Sequence, residues 1–162
     1  MFAFIQQYRP KLIIFLCLIS FLGGCNASTS DHLKNYEVKK LILPSGKSIK
    51  VYLAQTVEQQ RLGLSGIKPE DFGKNEAMLF PWHEMKMRQF WMPNTFFDLD
   101  IIFMNGENYI IDIHRGLKHY KGQGTRAQVP LSKEVYSQNI LEVRADSPIS
   151  KELKPGMILH FY

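Results

Sequence analysis

The run from Phe90 to Met104, Phe-Trp-Met-Pro-Asn-Thr-Phe-Phe-Asp-Leu-Asp-Ile-Ile-Phe-Met, leaves this chain few ways to fold. It ends at Asn105-Gly106 and is followed by a second strand-like run, Tyr109 to His114. Asn-Gly between two such runs is a strong hairpin signal, because both central positions of a type I′ turn need positive φ. The pattern predicts a central hairpin over Phe96–His114, with a type I′ or related turn. Phe90–Met92 is expected to be the strand feeding into it, stopped by Pro93, which cannot donate a ladder hydrogen bond. In an extended chain Asp98, Asp100, Ile102 and Met104 share one face, and Leu99, Ile101 and Phe103 take the other. A strand apolar on both faces fits a small barrel or a covered sheet better than an open meander.

The flanking segments add strands and one main helix. Tyr36–Leu43 and Ser48–Ala54 alternate as strands around Pro44-Ser45-Gly46-Lys47, a turn by composition. Thr56 and Gln59 form a capping box, so a helix starts there and stops near Gly63 or Gly66. Val57, Arg61, Leu62 and Leu64 are its expected apolar side. Glu76–Trp82 and Asn139–Arg144 read as strands, Ser147-Pro148 opens a short helix, and Met157–Phe161 is the expected last strand. Gly116–Ser132 reads as a long polar loop. The predicted class is α+β, mainly β. It is a curled sheet or small barrel of about seven or eight strands, with one main helix after the second strand.

Three runs, Met78-Leu79-Phe80, Phe90-Trp91-Met92-x-Asn94-Thr95 and Leu99 to Phe103, are followed by Leu141-Glu142-Val143. Together they resemble the uncharacterised prokaryotic family called domain of unknown function 192, over roughly residues 48 to 162. The resemblance implies a small mixed fold, mostly β, and no established reaction.

The N-terminus reads as an address. Arg9 and Lys11 precede an apolar run from Leu12 to Leu22, too short for a comfortable membrane span and right for a signal peptide. Leu22-Gly23-Gly24-Cys25 then resembles the lipid-attachment site of a bacterial lipoprotein. The expected organisation is a signal peptide over 1–24, a lipidated Cys25 with a flexible tether over 25–35, and one globular domain over 36–162. Asn26 after Cys25 resembles the sorting pattern of an outer-membrane resident, so the expected location is the envelope, facing the periplasm. The only cysteines are Cys17 and Cys25, so nothing remains in the domain for a disulfide or a zinc thiolate.

Residues 1–24 carry two of the 20 Lys+Arg and none of the 15 Asp+Glu, so the processed chain has 18 bases against 15 acids, a mild +3. No basic stripe appears, and nucleic acid is not an expected partner. The expected partners are the membrane, through lipid on Cys25, and a small molecule or an envelope protein. No cofactor is expected. No metal is expected either, since His114 and His119 flank Arg115 and Lys118, and His83-Glu84 lacks the second histidine of a metalloprotease helix.

The candidate ligand-binding residues are Trp91, Asn94, Thr95, Asp98, Asp100 and Glu142. Trp91 offers a large π-face beside several short hydrogen-bonding groups, and Trp82, Phe90, Met85, Met87 and Met92 extend an aromatic and thioether cluster. The rim near Pro93 is therefore expected to place part of the Trp91 ring, Asn94 and Asp100 on one concave site. Asp98, Asp100 and Glu142 admit three readings. They pair with arginine or loop amides, they bind a ligand, or two of them act as general acid and base. The functional classes that follow are a ligand- or partner-binding module, a hydrolase using the Asp/Glu cluster, and a structural or assembly factor without ligand.

Overall fold

The computed structural model describes residues 32–125 and 127–162. The expected signal peptide, Cys25 and most of the tether lie outside the described residues.

The elements are β1 (Glu37–Ile42), β2 (Ser48–Leu53), α1 (Val57–Leu62), β3 (Glu76–Phe80), β4 (Lys86–Arg88), β5 (Leu99–Met104), β6 (Ile110–Leu117), β7 (Val135–Ser137), β8 (Asn139–Arg144) and α2 (Pro148–Glu152). Six strands form a curled, unclosed sheet in the order β1-β2-β3-β8-β5-β6, and β4 pairs with β7 apart from it. All neighbours are antiparallel except β2 and β3. A parallel pair needs a crossover, and α1 lies within that crossover. The mainly β class, eight strands among the described residues and the helix after the second strand are thus observed.

The alternation in β5 has its expected consequence. Leu99, Ile101 and Phe103 enter one apolar cluster, with Phe72, Met78 and Phe80. Ile102 and Met104 enter the other, with Val51, Leu141 and Val143. Every residue of β5 and of β8 is buried. The strands at the centre of the sheet are therefore covered on both faces.

Local expectations fail where tertiary contacts outbid them. Phe90–Met92 is not a ladder strand. Trp91 makes one isolated bridge to Leu131, and the Phe90 N–H donates to the Ser132 side-chain oxygen (2.9 Å) in place of a ladder carbonyl. The 157–161 segment forms bridges at Ile158 and Phe161 only, because it crosses from Tyr109 to Leu41, from one sheet edge to the other. The hairpin turn is not type I′. The Asn105 side chain accepts from the Glu107 and Tyr109 amides (3.0 and 2.9 Å), and Asn108, not Gly106, takes positive φ (62°). The asparagine side chain thus mimics a backbone turn. Gly106 is needed for another reason: a Cβ there would lie 2.7 Å from Gln138 Oε1.

The capping box at Thr56 and Gln59 is present, and α1 stops at Gly63 with φ 49°. Its expected apolar side is not formed as drawn, since Val57 is 83% exposed and no residue of α1 is fully buried. The helix is held by its caps, and Gln60 Nε2 ties it to the Pro81 carbonyl (3.0 Å).

Candidate functional site

Glu142 is the central residue of the site. It stands on β8, directly between Met78 of β3 and Ile101 of β5. Those neighbours belong to the first apolar cluster, so the strand alternation turns the carboxyl into hydrocarbon. Glu142 is 5% exposed and has no hydrogen-bond or ion-pair partner among the described residues. Burial alone pushes its carboxyl up from the ordinary glutamate range to about 8, since removal from water disfavours the charged form. Arg144, two residues on, could reach the same face but is otherwise engaged. Its guanidinium binds Asp146 (2.9 and 3.0 Å) and the Pro69 and Phe72 carbonyls (3.0 and 3.1 Å).

Glu142 lines a cavity of about 60 Å³. Its walls come from the end of α1 and the loop after it, from Phe80 of β3, from Phe90 to Thr95, and from Leu99 of β5. Gly63 lets the loop sit against Phe80: a Cβ there would lie 3.2 Å from the Phe80 ring. Phe80 in turn stacks on Trp82 (5.9 Å) and meets Phe90 edge-on (5.2 Å). Gln60, Phe90 and Trp91 also line a shallow trough of about 290 Å³, which continues past Trp82, Met87 and Arg88. Arg88 lies over the Trp82 ring (4.0 Å).

The six candidates from the sequence fall into four places. Trp91, 48% exposed, Thr95 and Glu142 all line the cavity. The Thr95 hydroxyl is consumed by the protein, donating to the Met92 carbonyl (2.9 Å) and accepting from the Tyr120 amide (3.1 Å). Asn94 stands beside the cavity in a supporting position. At φ 51° its carbonyl accepts from the Gly66 amide (2.8 Å) and its amide donates to Gly122 (2.7 Å).

Asp98 and Asp100 are not brought to the cavity. Asp98 sits in a separate surface depression with Lys118 and His119. Burial pushes its carboxyl up, but the Lys118 ammonium (2.8 Å) and the His119 amide and ring outweigh that and hold it down to about 2. Asp100 opposes Val143 on the other face of the sheet. It accepts from Arg115 Nη1 (2.9 Å), the Gly116 amide (2.7 Å) and the Ser150 hydroxyl. No two of the three acids face each other across the cavity, which leaves Glu142 alone to do its chemistry. Among the described residues no three His, Cys, Asp or Glu side chains converge as a metal site would require.

Sequence reasoning missed the contribution of α1, whose residues Gln60 to Leu62 form a wall. The available signal was the pair Gly63 and Gly66, which marks a backbone passing close to something bulky. An acid in the apolar run Ile140-Leu141-Glu142-Val143 was the clearer pointer to a buried charge.

No curated protein matches the chain. Two solved structures share the fold. One is a candidate transcription regulator from Sinorhizobium meliloti, 23% identical, with TM-score 0.60, covering 78% of this chain and 95% of that one. The other is a protein of unknown function from Novosphingobium aromaticivorans, 25% identical, with TM-score 0.59, covering 77% and 84%. The family model DUF192, described as an uncharacterized ACR, matches residues 41–161, and the chain belongs to that family.

Proposed function

We propose that this is a lipid-anchored envelope protein whose single domain binds a small ligand in the cavity beneath Trp91. The observation that carries the reading is Glu142, a residue 5% exposed whose carboxyl has no partner among the described residues. Since no fully buried side-chain oxygen among them lacks a partner, its oxygens open onto the cavity it lines. A buried acid is ordinarily paired, and one left unsatisfied lowers stability. A site with an unfilled hydrogen-bonding group and a perturbed pKa is where a ligand is expected. A cavity that size holds roughly four water molecules or an end group of a few atoms. The remainder of a ligand would lie along the aromatic trough. The binding reading is favoured over a hydrolase with paired carboxylates because Asp98 and Asp100 are bound elsewhere.

Trp91 supplies the assay. The chain has two tryptophans, so Trp82→Phe leaves Trp91 as the sole reporter. Screening a fragment library against this chain should yield compounds that shift Trp91 fluorescence and raise the melting temperature together. A library in which nothing does both removes the ligand and favours a purely structural role.

The anchor is tested separately. The expected signal peptide spans residues 1–24 and ends at the Cys25 to be lipidated. Metabolic labelling with a fatty acid should mark the unaltered chain and fail on Cys25→Ser; label retained on Cys25→Ser contradicts lipidation at that residue.

A further inference from the structure

Resting on the cavity reading above, we infer that the group entering the cavity is the primary ammonium end of a slim aliphatic amine, held by the Glu142 carboxylate between aromatic walls. The inference follows from what lines the space. The Thr95 hydroxyl already has its donor and its acceptor within the protein. Gln60 Nε2 is taken by the Pro81 carbonyl. Ser65 and Gln60 are half-buried, so of the two buried polar residues in the lining, Thr95 and Glu142, it is the Glu142 carboxyl that keeps hydrogen-bonding capacity to spare, and ionised it accepts only. The ionised form repels an anion. A neutral hydroxyl or amide suits the protonated acid, and would leave the ionised form, which prevails above pH 8, with most of its capacity unmet. An ammonium brings three donors and the opposite charge, which is the pairing that makes a buried carboxylate tolerable.

The walls favour the same group. Phe80, Phe90 and Trp91 line the space, and aromatic rings attract an ammonium. Leu62, Leu64 and Met92 supply contact for a methylene chain. The cation nearest the entrance, Arg61, is neutralised by Glu58 (2.7 and 3.1 Å), so it does not repel an incoming ammonium. The slender cavity admits the amine end, and the open trough beside Trp91 and Met87 accommodates the aliphatic stem.

Proton release couples to binding. Glu142 is protonated at neutral pH, and an ammonium pairs with the ionised form, so the proton leaves to solvent as the cation enters. The ionisable groups around Glu142 are Tyr36, the Arg61–Glu58 pair, and Arg144 with Asp146, all from elements packed on this face. Tyr36 is pushed up to about 12 by burial and by the acids Glu58 and Glu142, so it stays neutral. His32 touches Tyr36 and does not line the cavity.

The test uses the full chain in detergent with Trp82→Phe. Trp91 fluorescence is titrated with n-propylammonium, 1-propanol and propionamide. Propylammonium should bind most tightly, with affinity rising roughly 90-fold from pH 6 to pH 9, as the ionised fraction of a group titrating near 8 grows. Glu142→Gln should abolish both the binding and its pH dependence. The pH series is read on the chain with Glu142 intact, so it stands even where the variant fails to fold. If 1-propanol or propionamide binds as well as propylammonium, with no pH dependence, the ammonium assignment is overturned while the cavity reading survives. If no probe binds at any pH, both are overturned.

Discussion

At pH 9 the Glu142→Gln chain is expected to resist urea better than the unaltered chain, by about 2–4 kcal/mol. At that pH the native protein holds an ionised carboxylate in an apolar wall, and unfolding releases it to water. Glutamine has nearly the same shape and no charge. The sign follows from proton counting. Burial raises the folded carboxyl to about 8, above its unfolded value, so between the two the native state binds the extra proton. Stability from this group is then fully present below the unfolded pKa and is lost as pH rises through 8, at up to about 1.4 kcal/mol per pH unit. At pH 5 the two chains should differ little, apart from the buried amide donor that glutamine introduces, worth about 1–3 kcal/mol against the variant. His114, pushed down by burial, acts alike in both chains and cancels in the difference. Urea midpoints for both chains at pH 5, 7 and 9 decide it. Parallel curves would show that Glu142 is solvated or paired in solution.

The second large effect is expected at Arg115→Ala, which should cost about 2–4 kcal/mol at pH 7. The guanidinium of Arg115 joins three elements. Nη1 reaches Asp100 on β5 (2.9 Å) and both the carbonyl and hydroxyl of Ser150 on α2 (2.8 and 2.7 Å), and Nη2 reaches the Leu153 carbonyl (2.7 Å). Removing it leaves Asp100, 2% exposed, with a buried charge and only the Gly116 amide and the Ser150 hydroxyl. It also frees the carbonyls at the end of α2, which need partners. The arginine itself is nearly half exposed, which keeps the expected loss below that of a fully buried pair. Lys118→Ala is the control. Its ion pair with Asp98 has about the same length but is far more exposed, and should be worth about 0–1 kcal/mol. Equal losses for the two variants, measured by urea unfolding, would mean that burial does not set the strength of the Asp100 cluster.

These three acids show where sequence reasoning stops. Asp98, Asp100 and Glu142 look alike in the chain, and alternation correctly separates the faces of β5. One acid nevertheless becomes a surface ion pair, one a structural cluster, and one the unpartnered group of a cavity. Their fates depend on Lys118, Arg115, Ser150 and α1, each from 15 to 85 positions away. Inserting β8 between β3 and β5 is what sets Glu142 between Met78 and Ile101.

What the sequence determined by itself was therefore whatever covalent spacing controls. The capping box at Thr56, the Pro148 start of α2, the β1–β2 pair and the two-faced burial of β5 all rest on neighbours within a few residues, or on the period of two. The turn at Asn105 is local too, with asparagine side-chain bonds to Glu107 and Tyr109 in place of a positive φ at Gly106, and it was the turn type that the Asn-Gly pattern misjudged. The tertiary structure alone reduced the 157–161 strand to bridges between two edges, and chose which acid lacks a partner. The physical reason is that hydrogen-bond partners and burial depend on sheet order and register. Those are settled by the sum of long-range packing, to which no local pattern gives access.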